Sequence, residues 1–137
     1  MRMMTTLVLS AALTGAALAG SASTKSGLPQ ETDINNGLLA VAAADKIRRE
    51  CHSISARFWR ARSYLNGLKD IASERGYTDD EIDAYINDDA EQDKMRAKRN
   101  AYFKSKGASN LDPESLCVLG REEIRKNSQI GSLLRAK

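Results

Sequence analysis

Cys51, His52 and Cys117 are the only cysteines and the only histidine in this chain of 137 residues. Thiolates and imidazoles bind zinc, and a thiolate beside an imidazole is the core of a cysteine nucleophile. The spacing favours neither. Neighbours in sequence, as Cys51 and His52 are, rarely turn both side chains to one ion, and there is no CxxC or HxxxH pair. No third group that would orient a Cys–His pair is marked in the sequence.

A second candidate is basic and aromatic. Lys46, Arg48, Arg49, Arg57, Arg60 and Arg62 stand against one acid, Glu50, with Phe58 and Trp59 between them. Arginines flanking aromatics suit an acidic protein face, an anionic lipid or a nucleic acid. The plainer reading is a solvated helix face whose arginine stems cover apolar surface. Arg48, Arg49, Arg57, Trp59, Arg60 and Arg62 are the candidate interaction face beside that plainer reading.

A third is the acidic run DDEIDAYINDDAEQD at 79–93. It lacks the glycine and the alternating oxygen ligands of a calcium loop, and its apolar residues fall at helical spacing. Nothing singles out two of its carboxylates for glycosidic chemistry. No GxSxG, HExxH, phosphate-binding loop or dinucleotide fingerprint occurs. With one histidine, acid–base catalysis is short of parts, and no cofactor is expected.

The start of the chain sets the compartment. Arg2 precedes an apolar run from Leu7 to Ala19 that is short for a bilayer span and ends in Ala17-Leu18-Ala19. That is the pattern of a secretory signal peptide, residues 1–19, with cleavage after Ala19 and alternatives after Ala22 or Ser23. A membrane anchor or a buried N-terminal helix is the rival. Loss of residues 1–19 removes only Arg2 among the charges, so the net charge falls from +3 to +2. This mild balance demands no polyanion, and export, to the periplasm or beyond, disfavours nucleic acid. No later segment reaches membrane-spanning length. In an exported protein two cysteines usually oxidise to one pair, here Cys51–Cys117; a metal site or reactive thiol is the rival.

Helices must position these groups. Residues 20–35 read as a flexible lead-in, and 36–137 as one domain. A first helix is expected from about Gly37 to Glu50, with Leu38, Leu39, Val41, Ala42, Ala43 and Ile47 on its apolar face. Ile54, Phe58, Ala61, Leu65, Leu68 and Ala72 make one stripe of a second, ended by Gly76. Thr78 and Glu81 form a capping box for a third, running to Lys106 with acids first and bases last, weakly apolar in the middle and able to bend there. Asp112-Pro113 starts a fourth, to about Asn127. Ser128 caps a final turn with Ile130, Leu133 and Leu134. The expected fold is all-α, a small bundle of about four helices plus a short C-terminal turn, closed by one disulfide.

Three stretches, NNGLLAVAAADKIRREC, ERGYTDDEIDAYINDDAEQDKMRAKRNAYFKSKG and LCVLGREEIRKNSQIGSLLRAK, carry a resemblance. Together they resemble a family of small exported alphaproteobacterial proteins, the domain of unknown function fifty-three thirty-three, over Asn36 to Lys137. Cys117, Gly120 and Ser128 to Gly131 stand where the family pattern has them. The resemblance implies a family disulfide through both cysteines. It implies no activity. Family genes often neighbour those for respiratory NADH dehydrogenase subunits, which implies a partner without identifying it.

The expected function is a non-enzymatic interaction or accessory protein of the cell envelope, with an envelope protein as partner. The alternative is a small-molecule or ion-binding helical module, with a hydrolase behind it. A cavity lined by Arg49, Arg57, Tyr85 or Tyr102 would favour that alternative.

Overall fold

A computed structural model describes residues 25–137. The expected signal peptide and the first part of the expected lead-in lie outside the described residues.

A 3-10 turn, Leu28–Gln30, leads into α1, Thr32–Glu50. There follow β1 (Ile54–Ala56), α2 (Phe58–Glu74), α3 (Asp79–Asn87), α4 (Asp89–Ser105), α5 (Pro113–Lys126), α6 (Gln129–Ser132) and β2 (Leu134–Ala136). The protein is mostly helical, as expected, but has six helices and a small sheet among the described residues. β1 and β2 pair antiparallel, Ile54 opposite Ala136 and Ala56 opposite Leu134. The expected all-α bundle holds in outline, with this small sheet added to it. Each strand is three residues long, too short to show alternation.

Two elements begin where the sequence did not place them. α1 starts at Thr32 rather than Gly37, and Leu28, Ile34 and Asn35 are buried. So residues 28–35 are not a flexible lead-in. A polar clasp holds them down. Asn35 Nδ2 donates to the carbonyls of Leu28 and Glu31, each at 2.8 Å, and the Tyr85 hydroxyl donates to Asn35 Oδ1. Arg75 bonds both oxygens of Asp33 and Oε2 of Glu31, while the Tyr77 hydroxyl donates to Glu31 Oε1 at 2.8 Å. Lys25 pairs with Glu81 at 2.6 Å. The Arg75 guanidinium pulls the Asp33 carboxyl down to about 2, helped by the Ile34 N–H.

α2 begins at Phe58, not near Ile54, because Ile54 belongs to β1. The expected stripe therefore divides. Ile54, Leu68 and Ala72 are buried, whereas Phe58 is 61% exposed.

The expected third helix is two. Asp88 adopts an extended ψ of 124°, and its carboxylate accepts the Glu91 N–H at 2.9 Å, capping α4 while closing α3. The break falls between Ile86 and Ala90, earlier than the weakly apolar middle where a bend was expected. Asp88 with Glu91 is a second N-cap pattern ten residues after Thr78 and Glu81, whose own capping box is formed. α5 ends at Asn127 in the left-handed conformation, and Ser128 accepts from the Gly131 N–H at 3.0 Å. Of the residues expected on the last turn, Leu134 instead belongs to β2.

The main core joins Ala43 and Ile47 of α1, Ile54, Phe103, Leu116, Leu133 and Leu134. Cys51 and Cys117 form a disulfide across 66 residues, Cα–Cα 5.2 Å, fixing the end of α1 to α5. Two glycines permit this closeness. A Cβ on Gly120 would lie 2.5 Å from Ile54 Cδ1, and one on Gly131 only 1.8 Å from the Glu123 carbonyl oxygen. A second, smaller core of Leu28, Ile34, Ala72, Tyr77 and Ile82 lies under the clasp.

Candidate functional site

α1 carries more apolar surface than the core accepts. Its buried line is Ile34, Gly37, Ala40, Ala43, Ala44 and Ile47, at helical spacing. Leu38, Val41 and Ala42, expected on the buried face, are only half-buried. All three line one surface depression, and Val41 also lines another.

The first depression has a volume of about 320 Å³ and lies between α1 and the start of α2. Val41, Ala44, Phe58, Ala61, Leu65 and Leu133 make its apolar lining, and Arg48, Arg62 and Asp45 its charged rim. Phe58 is held edge-on against Trp59, ring centroids 5.2 Å apart. Trp59 is 77% exposed, so of its two expected roles it takes the exposed one. It lines a shallow neighbouring surface with Arg60 and Tyr64.

The six residues of the expected face do not act as one patch. Arg48 and Arg62 meet in the groove. Arg48 shares Asp45 with Arg49, at 2.6 and 3.0 Å. Arg62 has no ion pair or side-chain hydrogen bond among the described residues. Arg57 and Arg60 turn to the end of the chain: Arg57 Nε donates to the Leu134 carbonyl at 3.2 Å and Arg60 to that of Ser132 at 3.4 Å. Arg57 thus fastens β2, and Arg60 the end of α6. Arg49, paired with Asp45, does not line the groove.

The second depression, about 250 Å³, is lined by Leu38, Val41, Ala42, Tyr85, Ile86 and Met95, with Asp45 and Glu91 at its edges. Tyr85 is thus the one residue of the four named for a ligand cavity that lines it; Arg49, Arg57 and Tyr102 do not. The Tyr102 hydroxyl is instead spent on buried Glu123, at 2.8 Å, and burial, then that carboxylate, pushes the phenol far above its usual range.

His52 is exposed while Cys51 beside it is fully buried in the disulfide, so Cys51, His52 and Cys117 are not assembled as a site. Among the described residues no group of three or more His, Cys, Asp or Glu is placed to hold a metal ion. The sequence reading missed one feature outright. Arg99, buried at 8% exposure, has no carboxylate partner among the described residues and bonds only the Asn100 side chain, at 3.0 and 3.1 Å. An arginine inside the basic half of a helix looked solvated.

A family model described as a family of unknown function (DUF5333) matches residues 26–135, a span that starts ten residues before the expected domain. No curated protein and no solved structure matches the chain significantly. Among the described residues no helix is long and apolar enough to cross a membrane.

Proposed function

The chain belongs to this family of unknown function, and on the geometry of the groove we propose that it is an exported, non-enzymatic accessory protein of the cell envelope that docks a partner protein. The single observation behind this reading is the pairing of exposed Phe58 and Trp59 with a groove rimmed by Arg48 and Arg62. Large aromatics next to arginine are favoured where protein interfaces bury most energy. Exposing both rings costs the isolated chain hydrophobic stabilisation, which a partner recovers by covering them. The charge of the rim selects an amphipathic segment with an acidic residue at its edge. The disulfide accords with an oxidising compartment and supports export, as does the apolar run from Leu7 to Ala19.

A small apolar carboxylate is the second reading, favoured by the groove's volume of about 320 Å³. That lies near the lower limit for ligand pockets, about 300 Å³.

Quantitative affinity capture from envelope extracts tests the proposal. Wild-type chain should retain one reproducible partner. Arg62→Glu and Phe58→Ala should each lose it with an unchanged melting temperature. Equal retention by all three would contradict docking in the groove.

A further inference from the structure

A guanidinium withdrawn from water is costly unless an anion compensates it. Arg99 is withdrawn over nearly its whole length, at 8% exposure. Nε and Nη2 donate to Asn100 Oδ1, a neutral acceptor. The Phe103 ring, 6.0 Å away, offers weak further support. Nη1 has no hydrogen-bond partner among the described residues, yet no buried side-chain nitrogen or oxygen there lacks one. Nη1 therefore reaches the surface: the side chain is buried with one donor open.

The surroundings make the imbalance larger. Arg96 shares the α4 face with Arg99, one turn earlier. Arg96 is paired with Asp93, and Arg49 across on α1 with Asp45, which Arg48 also claims. Arg49 and Arg96 are each more than half exposed at their side chains. Both carboxylates are thus taken and none is left for Arg99. Burial first, then the charges of Arg49 and Arg96, push the Arg99 guanidinium below its ordinary value, with Asp45 opposing them.

We propose that Arg99, with Arg49 and Arg96, forms an oxyanion-binding site between α1 and α4, separate from the groove, for a carboxylate or phosphate group. Nη1 of Arg99 supplies the fixed donor. Arg49 and Arg96 add positive charge beside it. Carboxylate and phosphate both suit a guanidinium donor, and they differ in source: an acidic side chain or organic acid in one case, a phosphate group in the other.

Thermal melts and calorimetric titration of the full disulfide-bonded chain test the site, with inorganic phosphate and citrate compared against chloride at equal ionic strength. An anion that binds only the folded state raises the melting temperature with concentration. The wild type should show this rise with at least one of the two anions, and which one identifies the source. Arg99→Met should lose the rise while melting in chloride no lower than wild type, because an uncompensated buried cation has gone. Arg96→Gln, on an exposed side chain, keeps the test open if Arg99→Met does not fold; it should weaken binding about tenfold, the loss of one charge-assisted hydrogen bond. Phe58→Ala should leave the anion response intact, so this site and the groove stand or fall separately. No rise in wild type for either anion, or an equal rise in Arg99→Met, would overturn the proposal.

Discussion

Arg57 Nε donates to the backbone carbonyl of Leu134 at 3.2 Å, tying the residue before α2 to the last strand of the chain. The same residue's N–H donates to the Leu133 carbonyl at 2.8 Å. An arginine that reads in sequence as part of a binding face is thus a clamp on β2. Arg57→Ala should cost about 1 kcal/mol, the usual net value of one hydrogen bond. Arg62→Ala, in the groove and unpaired, should stay within about 0.5 kcal/mol of wild type. Urea unfolding of both variants checks the ranking; the reverse order would return Arg57 to the binding face.

The Cys51–Cys117 bond closes a loop of 66 residues. Chain-entropy reasoning gives such a closure about 4 kcal/mol, a large share of the total stability of a small domain. Cys51→Ser, or reduction of the wild type, should lower the melting temperature markedly. Calorimetry with and without reductant measures it, and identical melts would show that the staple contributes nothing.

Glycines at two helix positions should answer substitution oppositely. A Cβ on Gly131 would collide with the Glu123 carbonyl, a backbone atom that cannot swing away, while nothing lies within 4 Å of one on Gly67. Gly131→Ala should cost about 3 kcal/mol through overpacking. Gly67→Ala should gain about 0.5–1 kcal/mol from a stiffer unfolded chain and better helix propensity. Chemical denaturation of the pair decides it.

The clasp over the second core predicts a pH dependence. Asp33 titrates at about 2 in the fold against 3.8 ordinarily, chiefly through its bond from Arg75. A depressed carboxylate stabilises the fold fully above pH 3.8, and that contribution disappears as pH falls through about 2. Arg75→Gln removes the cause. The stability gap between wild type and this variant should therefore narrow as pH falls through that window. A gap constant across it would mean that Asp33 is not stabilised by Arg75.

Much of this was legible in the sequence where local chemistry decides. Thr78 with Glu81, Asp112 before Pro113, and Ser128 all cap helices as their side chains dictate. The cysteine pairing followed from the expected compartment. What failed was non-local. Ile54 fits a helical stripe by spacing, and only pairing with a strand some eighty residues away removes it from α2. That removal is what leaves Phe58 outside the core. Thr32 to Asn35 look like lead-in because only the fold brings near what holds Ile34 and Asn35 down, with Arg75, Tyr77 and Tyr85 on the surrounding polar groups. The break at Asp88 was readable as a second capping pattern, but the helical spacing of the apolar residues around it concealed it. In the expected site, spacing could not separate Arg57 and Arg60, which bond backbone carbonyls, from Arg48 and Arg62, which line the groove.

Trp59 carries the central claim, so the most direct measurement is site-specific photo-crosslinking from position 59 in the native envelope, read by mass spectrometry, with exposed position 70 on the same helix as control. Trp59→Ala should itself cost less than about 0.5 kcal/mol, since the ring is 77% exposed, so a crosslinker there leaves the fold intact. Docking in the groove predicts one defined protein adduct from position 59, none from 70, and its loss when Arg62→Glu is added. No adduct from position 59, or the same adducts from both positions, would contradict it.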